Sequence, residues 1–196
     1  MLLNDWLFYF YFPILNEFNF DISEDAESAR VLQEVAKLEK AEKLKTDEKA
    51  VVLGNSPDKR FEVLEGFHVI TAGKTVLNYD GRIDVHVTDL DEGFKALCDA
   101  ADRAKVVVVH AHGDNLELIK EYVPSLGKVV GTTQYLPFDK IYNFGGFTDG
   151  DRAAIIAKSF FEDVKLVNFR FDVAESELKL KKLRWARRIL EFEGLL

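Results

Sequence analysis

The most informative segment of the chain is a short acidic turn, Thr88-Asp89-Leu90-Asp91-Glu92-Gly93. It follows Ile83-Asp84-Val85-His86-Val87, in which apolar and polar residues alternate as they do in a partly buried strand. It precedes Phe94-Lys95-Ala96-Leu97-Cys98, whose apolar spacing predicts an amphipathic helix. Strand, acidic turn and helix in this order indicate a unit of an open α/β sheet, with two aspartates at the edge where such sheets bind ligands.

Asp89 and Asp91 allow two interpretations. Residues two apart in an extended chain point the same way, so both carboxylates can converge on one divalent cation. Alternatively, Asp91, with Asp89 nearby, caps the following helix by accepting from its unpaired N–H groups. The stretch alone does not separate these interpretations, but similar polar strand ends further along the chain favour the cation site.

Strands and helices alternate from about residue 49 onwards. Runs rich in Val, Ile and Leu indicate strands covered on both faces, which predicts a mainly parallel sheet wrapped by helices. The predicted strands are 49–53, 67–71, 83–87, 105–109, 127–131 and 165–170. A predicted helix over 175–193 carries a basic cluster, which is either a solvated face or a source of one or two cations for bound phosphates.

Residues 1–46 are predicted to form an N-terminal aromatic and helical extension, and residues 47–196 the α/β domain. The run 6–15 holds five consecutive aromatic residues and is shorter than the roughly 20 apolar residues that a membrane span needs. It covers either the core or a subunit interface, which leaves a homo-oligomer open. Ser23 is predicted to cap a helix that reaches about Leu44.

The composition argues against several functional classes. A formal net charge of -8 and a pI near 5.1 argue against a nucleic-acid-binding protein, which usually carries a basic stripe. A single cysteine, Cys98, excludes an internal disulfide and fits a reducing compartment. We therefore expect a cytoplasmic protein that binds neither nucleic acid nor membrane.

Two further strand ends carry residues suited to a charged ligand. Gly54-Asn55-Ser56-Pro57-Asp58 offers backbone N–H groups to a phosphate, although the same residue types also form ordinary turns. His110-Ala111-His112-Gly113-Asp114-Asn115 supplies Asp114 as an oxygen ligand for magnesium beside Asp89 and Asp91. Alternatively, Asp114 caps the helix predicted over 116–122.

A third polar segment is Phe144-Gly145-Gly146-Phe147-Thr148-Asp149-Gly150-Asp151-Arg152. Its paired glycines allow the backbone to approach a ligand closely. Thr148 is predicted to cap the next helix. Arg152 in the first turn of that helix opposes the helix dipole unless an anion is present, which suggests a phosphate; an ion pair with Asp149 or Asp151 is the alternative.

Taken together, TDLDEG at 88–93, HAHGDN at 110–115 and NFGGFTDGDRA at 143–153, with GNSPD at 54–58, resemble the archaeal 6-hydroxymethyl-7,8-dihydropterin pyrophosphokinases. The core of that family is similar to the thiamin pyrophosphokinase catalytic domain. In the thiamin enzymes the acidic pair ends in Ser, where Glu92 stands here. They also carry Arg-x-Asp where this chain has Phe147-Thr148-Asp149. These departures favour the pterin branch.

The resemblance implies a reaction and its co-substrates. The hydroxymethyl oxygen of 6-hydroxymethyl-7,8-dihydropterin attacks the β-phosphorus of ATP, and AMP leaves. Mg²⁺ on Asp89, Asp91 and Asp114 would neutralise the phosphates. The alternatives are thiamin or another heterocyclic alcohol as acceptor, or a nucleotide-binding module without catalysis.

The resemblance also implies roles for individual side chains. Phe144 or Phe147 stacks on the pterin, and Asp149 or Asp151 pairs with its aminopyrimidinone edge; His112 is a general base or a hydrogen-bond donor. The catalytic set is Asp89, Asp91, Asp114 and Arg152. The set expected to contact ATP is Gly54, Asn55, Ser56, Lys74, Asn115, Gly145 and Gly146. The set expected to contact the pterin is Phe144, Phe147, Asp149, Asp151 and His112.

Overall fold

The structure is a computed structural model that describes residues 1–46, 48–57, 61 and 65–196. Asp47, the first residue of the predicted α/β domain, and Asp58, the last of the predicted glycine turn, lie outside the described residues. The strands are β1 (Lys37–Leu38), β2 (Lys49–Leu53), β3 (Phe67–Ala72), β4 (Ile83–Thr88), β5 (Ala104–Ala111), β6 (Lys128–Thr133), β7 (Ile141–Tyr142) and β8 (Asp163–Val167).

Helices surround these strands. They are α1 (Leu3–Asp5), α2 (Phe12–Phe18), α3 (Ile22–Val35), α4 (Phe94–Arg103), α5 (Leu116–Tyr122), α6 (Asp149–Phe160) and α7 (Glu177–Phe192). A π-helical stretch, Trp6–Tyr11, joins α1 to α2. Over the described residues, no helix combines the length and the apolar character that crossing a membrane requires.

The strands form one sheet in the order β1-β6-β5-β4-β3-β2-β8, with β7 also paired to β6. The strand pairs run parallel. All the carboxyl ends of the strands therefore meet at one edge, where the polar loops after β2, β4, β5 and β8 are gathered. The predicted α/β fold with a mainly parallel sheet wrapped by helices is confirmed.

Alternate residues of the strands point to opposite layers, as the pleat requires. In β2, Ala50 and Val52 pack against α6 on one face of the sheet. Val51 and Leu53 lie on the opposite face, in a core cluster that also contains a residue of α4. The helices α3 and α5 cover the same face as α4, over β5 and β6. Because both faces are covered, even the polar residues of the central strand β4 are buried.

The N-terminal segment is helical, as predicted, but its third helix was wrongly bounded. Asp21 is the N-cap of α3, since its side chain accepts from the backbone N–H of Ser23 at 2.8 Å; Ser23 is therefore not the cap. The helix ends at Val35 and not near Leu44, because Lys37–Leu38 pairs with β6 as an edge strand. The domain boundary after residue 46 stays a prediction.

Candidate active site

The acidic loop after β4 is built around Leu90. This residue has a left-handed backbone (φ 74°), which is costly for a side chain that is not glycine, and it is fully buried. Its N–H donates to the hydroxyl of Thr88 at 2.7 Å. Leu90 thus anchors the turn in the core, and its chain neighbours Asp89 and Asp91 are held in place on either side of this residue.

Glu92 is the third acid of this loop, and no sequence pattern selected it as a site residue. Its buried carboxylate pairs with His86 Nε2 at 2.7 Å and accepts from the hydroxyl of Thr88 at 2.8 Å. One carboxylate oxygen from each of Asp89, Asp91 and Glu92 lies within 4.8 Å of the others. The three acids therefore form a cluster, in which Glu92 is held by the protein.

The helix-cap interpretation of Asp91 is wrong. The residue at the N-cap of α4 is Gly93, and among the described residues there is no side-chain cap bond at the start of this helix. Asp89 and Asp91 are therefore not used as helix caps. Their hard oxygen donors suit Mg²⁺, which commonly binds to proteins through one or two carboxylates together with phosphate oxygens.

The surroundings of Asp89 and Asp91 shift the pKa values of both carboxyl groups. Burial opposes ionisation of Asp89, but the imidazole of His112 and the charge of Arg152 together hold its pKa well below the usual range. Burial and the charge of Asp89 raise the pKa of Asp91, although Lys74 opposes this effect with an ion pair of 2.7 Å. A bound cation would favour the ionised form of Asp91.

The loop after β5 approaches Asp89 through His112 and Asn115. His112 Nε2 lies 3.7 Å from Asp89 Oδ2, and its Nδ1 accepts from the N–H of Asp114. This arrangement places the imidazole proton on Nε2, facing Asp89. Asn115, predicted to contact ATP, donates instead to the carbonyl oxygens of Asp89 and His110 at 2.9 and 2.7 Å. It ties the two loops together.

Asp114 is placed differently from its predicted position. Its side chain is 64% exposed and approaches His112 Nδ1 at 4.0 Å. It does not cap α5, because in the described residues no side chain caps that helix. Asp114 is also absent from the cluster of Asp89, Asp91 and Glu92, so its predicted role as a metal ligand stays a prediction.

Arg152 is buried at the start of α6, with 3% of its side chain exposed. It pairs with Asp149 at 3.1 Å, as one of the two interpretations predicted, and it also donates to the carbonyl oxygens of Gly146 and Phe147. Within the described part of the chain, its Nε has no hydrogen-bond partner. Burial and the charge of Asp89 raise the pKa of Asp149 well above the usual value, against the effect of Arg152.

The paired glycines serve packing. Gly146 has a φ of 98°, and a Cβ there would lie 2.5 Å from the Cα of Arg152. At Gly145 (φ 87°) a Cβ would lie 3.0 Å from the sulfur of Met1. These contacts explain both glycines without a ligand, so their predicted contact with ATP stays a prediction.

Thr148 and Asp151 cap α6 reciprocally, which confirms Thr148 as the cap. The carboxylate of Asp151 accepts from the N–H groups of Phe147 and Thr148, both at 2.7 Å, and from the Thr148 hydroxyl. Asp151 is buried and both of its oxygens are used by the protein. Its predicted contact with the pterin stays a prediction that these bonds do not favour.

The larger of two cavities at this edge has a volume of about 280 Å³. The turn 54–57, Lys74 and Asp91 line it, and the buried hydroxyl of Ser56 has no hydrogen-bond partner among the described residues. Gly54 is required there because a Cβ would lie 2.8 Å from the carbonyl oxygen of Asn168. The apolar part of the lining comprises Phe169, Phe171, Val173, Ala174, Leu183 and Ala186.

The smaller cavity, of about 50 Å³, lies on the other side of the acidic pair. Asp89, His112 and Arg152 line it, together with Phe147 from the loop before α6. The segment that carries α3 completes it with the side chains of Phe20, Asp21, Glu24 and Asp25. The other aromatic candidate, Phe144, stacks on Tyr142, meets Phe160 edge to face, and packs in the core and not at this cavity.

Comparison with known proteins agrees with this geometry. No family model matches the chain. A curated 6-hydroxymethyl-7,8-dihydropterin pyrophosphokinase from Methanocaldococcus jannaschii is 32% identical, over 93% of this chain and 92% of its own length. Its counterpart from Pyrococcus furiosus is 35% identical, over 93% and 90%. The chain belongs to this family. A third pyrophosphokinase of that name, from Methanothermobacter thermautotrophicus, is 38% identical over 75% of this chain and 69% of its own length.

In this member of the pyrophosphokinase family, some residues at the site carried no signal in the sequence. Asp25 and Gln134 meet beside the smaller cavity, although 109 positions separate them. Phe169 and Phe171 belong to the apolar lining of the larger cavity, where the sequence predicted the tail of a strand. Two lysines of the basic helix α7 do reach the site, since Lys179 lines the larger cavity and Lys182 the smaller one.

Proposed function

We propose that this pyrophosphokinase family member transfers a diphosphoryl group from ATP to the hydroxymethyl oxygen of 6-hydroxymethyl-7,8-dihydropterin and releases AMP. The observation that carries the proposal is the placement of the acidic pair. Asp91 lines the larger cavity and Asp89 the smaller one, and the backbone N–H of Asp91 donates to Asp89 Oδ1 at 3.4 Å. ATP bound in the larger cavity and the pterin bound in the smaller cavity would meet at these carboxylates.

The larger cavity suits a nucleotide. Its apolar lining residues Phe169 and Phe171 fit a base, while Ser56 and Lys74 of the same cavity can donate to phosphate oxygens. Lys179 adds a second cation from α7. Phosphoryl transfer depends mainly on positioning and on charge neutralisation, and this cavity offers groups for both.

The smaller cavity suits the heterocyclic acceptor. Phe147 presents a ring, and carboxylates such as Asp21 and Glu24 can accept from the amino group and ring N–H of a pterin. At about 50 Å³ the cavity is tighter than a pterin. The ammonium of Lys182 lies 5.8 and 5.7 Å from the ring centroids of Phe20 and Phe147. We infer that Lys182 moves away from these rings when the acceptor binds.

Magnesium fits the donor set of the acidic loop. Asp89 and Asp91 would hold it, with Glu92 fixed behind them by His86 and Thr88. When bound, Mg²⁺ neutralises phosphate oxygens and aligns the β-phosphorus for attack. Arg152, whose Nε lacks a hydrogen-bond partner in the described residues, adds fixed positive charge at the border of the acceptor cavity.

His112 is better placed as a hydrogen-bond donor than as a base. Its Nδ1 accepts a backbone N–H, so Nε2 carries the proton that faces Asp89. In this role it orients Asp89 towards the reacting groups.

We further propose that the enzyme works in the cytoplasm, that residues 1–46 and 47–196 divide the chain into an extension and a catalytic domain, and that the exposed aromatic side chains of Phe8 and Tyr9 contact a second subunit.

The test is a product analysis. The purified protein is incubated with ATP, MgCl₂ and 6-hydroxymethyl-7,8-dihydropterin, and the nucleotide products are separated and identified by ³¹P NMR. We expect AMP and a pterin diphosphate in equal amounts, and no turnover after chelation of the metal. ADP as the product would contradict the proposal. Thiamin serves as the matched acceptor control, and faster turnover with thiamin would move the assignment to the alternative acceptor class.

A further inference from the structure

Asp25 is a buried acid, 2% exposed, in the first turn of α3. Its Oδ2 accepts from the hydroxyl of Tyr11 at 2.6 Å, and its Oδ1 accepts from the backbone N–H of Gly113 at 2.8 Å. The side-chain amide of Gln134 donates to both oxygens, at 3.0 and 2.9 Å. The carboxylate thus collects donors from the π-helical stretch, from the loop after β5 and from the loop after β6.

Every partner of Asp25 is a donor. Burial and the bond to Asp25 raise the pKa of Tyr11, so its hydroxyl keeps its proton and donates. A backbone N–H and an amide NH₂ can only donate in this geometry. An uncharged amide in place of the carboxylate would turn its NH₂ group towards one of these donors, which leaves a buried group unsatisfied. The site therefore requires a side chain at position 25 that accepts hydrogen bonds at both of its terminal atoms, as a carboxylate does.

The bond to Gly113 leads directly to the acidic pair. Gly113 lies so close to α3 that a Cβ there would be 2.8 Å from the Cβ of Glu24. The preceding residue is His112, whose Nε2 lies 3.7 Å from Asp89 Oδ2. A fixed Gly113 amide therefore fixes the backbone that carries His112, and His112 in turn faces Asp89.

We propose that Asp25 is a positioning residue for diphosphoryl transfer: it holds the Gly113 amide and so sets the orientation of His112 against Asp89. The proposal rests on the proposed function. It assigns the N-terminal segment a part in the active site, because Asp25 and Tyr11 both belong to that segment. Asp25 also lines the smaller cavity, but both of its oxygens accept from protein donors, and it acts through them.

The test compares Asp25→Asn and Asp25→Glu with wild type. We expect kcat to fall about 10- to 100-fold in Asp25→Asn, because a misplaced catalytic group reduces the rate steeply, with KM for ATP changed by less than about twofold. The larger cavity does not include Asp25, so ATP binding should be preserved. Asp25→Glu keeps the charge but moves it by one methylene, and it should lose less activity than Asp25→Asn.

A second readout does not depend on turnover. A strong bond to a carboxylate moves an amide proton resonance to low field, so in ¹⁵N-labelled wild type the Gly113 amide signal should lie at low field. It should move upfield in Asp25→Asn while the amides of β2 and β3 keep their positions. If Asp25→Asn does not fold, the Gly113 amide signal is measured in Asp25→Glu, which retains a carboxylate as acceptor.

The matched control is Glu17→Gln. Glu17 accepts from the indole N–H of Trp185 at 2.8 Å and thereby anchors the same N-terminal segment to α7, away from the acidic pair. Its kcat should equal that of wild type. A kcat of Asp25→Asn equal to wild type, an unmoved Gly113 signal, or an equal loss in Glu17→Gln would each overturn the proposal. A wild-type protein that forms no AMP, with a low-field Gly113 signal that still depends on Asp25, would instead overturn the proposed function.

Discussion

The ammonium nitrogen of Lys74 lies 2.7 Å from a carboxylate oxygen of Asp91, and both side chains line the larger cavity. This ion pair raises the pKa of Lys74 and opposes the rise in the pKa of Asp91 that burial and Asp89 cause. Lys74 therefore helps to keep Asp91 ionised. It also lies on the wall where nucleotide phosphates would bind.

Lys74→Met should lower kcat/KM for ATP by about 10- to 100-fold, because positive charge at the phosphates is lost. Lys74→Arg should retain a part of the activity. Steady-state rates of AMP formation at varied ATP concentration provide the measurement. Lys95→Met, an exposed lysine on α4, is the control and should behave as wild type. A change of less than about twofold in Lys74→Met would contradict the assigned role.

Asp89→Asn and Asp91→Asn should each reduce kcat by at least about 100-fold, since each removes a carboxylate from the proposed magnesium site. Neither should unfold the protein, because Asp89 and Asp91 are 24% and 46% exposed and their like charges repel each other. Activity and thermal unfolding are measured together. Asp102→Asn, exposed on α4, is the control. Full activity in either test variant would remove the acidic pair from the mechanism.

The sequence predicted those parts of the fold that local patterns determine. The strand with its acidic turn and Gly93 after it is a local feature, and Asp89 and Asp91 were correctly placed together. The end of α3 was not predictable in this way, because Lys37–Leu38 becomes a strand only by pairing with β6. Asp114 was expected beside Asp89 and Asp91 because it too follows a predicted strand, but a position at a strand end does not determine where the side chain points, and its role as a metal ligand stays a prediction.

The contacts of Asp25 show the same limit more clearly. Its bond to Gly113 spans 88 positions and its bonds to Gln134 span 109. A helix N-terminus with several acids is typical of ordinary capping, so nothing in 21–27 marks Asp25 as different from Glu24. Only tertiary packing separates the buried acid from its neighbour.

Thr88→Val should destabilise the protein by roughly 2–4 kcal/mol, because it leaves an oxygen of buried Glu92 and the N–H of Leu90 without a partner. Urea unfolding followed by circular dichroism measures this loss. Thr75→Val is the control: it removes a single bond, from the hydroxyl to the carbonyl of Leu53, and should cost about 1 kcal/mol. Equal costs for the two variants would show that the Thr88 bonds do not support the loop.

Gly146→Ala should destabilise the protein by roughly 2–5 kcal/mol, since it adds a clash with Arg152 to a strained backbone at φ 98°. We expect activity to fall as well, because Arg152 must move. Gly127→Ala is the matched control, since a Cβ at Gly127 would have no heavy atom within 4 Å among its described neighbours. Equal stability of both variants, measured by thermal unfolding, would refute the packing role of Gly146.

Asp84 governs a pH dependence of stability far from the active site. Burial opposes its ionisation, but Lys105 at 2.7 Å, the N–H of Val69 and Arg82 lower the pKa of Asp84 below its usual value. A lowered folded-state pKa means that the stabilisation is present above about pH 4, the unfolded value, and is lost as the pH falls through the folded value.

Asp84→Asn should therefore reduce the free energy of unfolding by roughly 1–3 kcal/mol at pH 7, and this difference should shrink once the pH falls below about 4. Urea unfolding at several pH values measures both effects. Asp99→Asn, exposed on α4, is the control and should follow the wild-type curve. A difference that stays constant down to pH 2 would show that the Asp84 ion pairs do not cause it.

The docking of α3 against β5 and β6 also bears on how the chain folds. Residues 1–35 leave the ribosome well before 104–133, which supply the surface that covers α3 and the donors that satisfy Asp25. Until that later half is made, an aromatic-rich helical segment has no partner and is prone to aggregate. The high sequence separation of these contacts should make docking of this segment a late and slow event, so the acceptor cavity would be completed only at the end of folding.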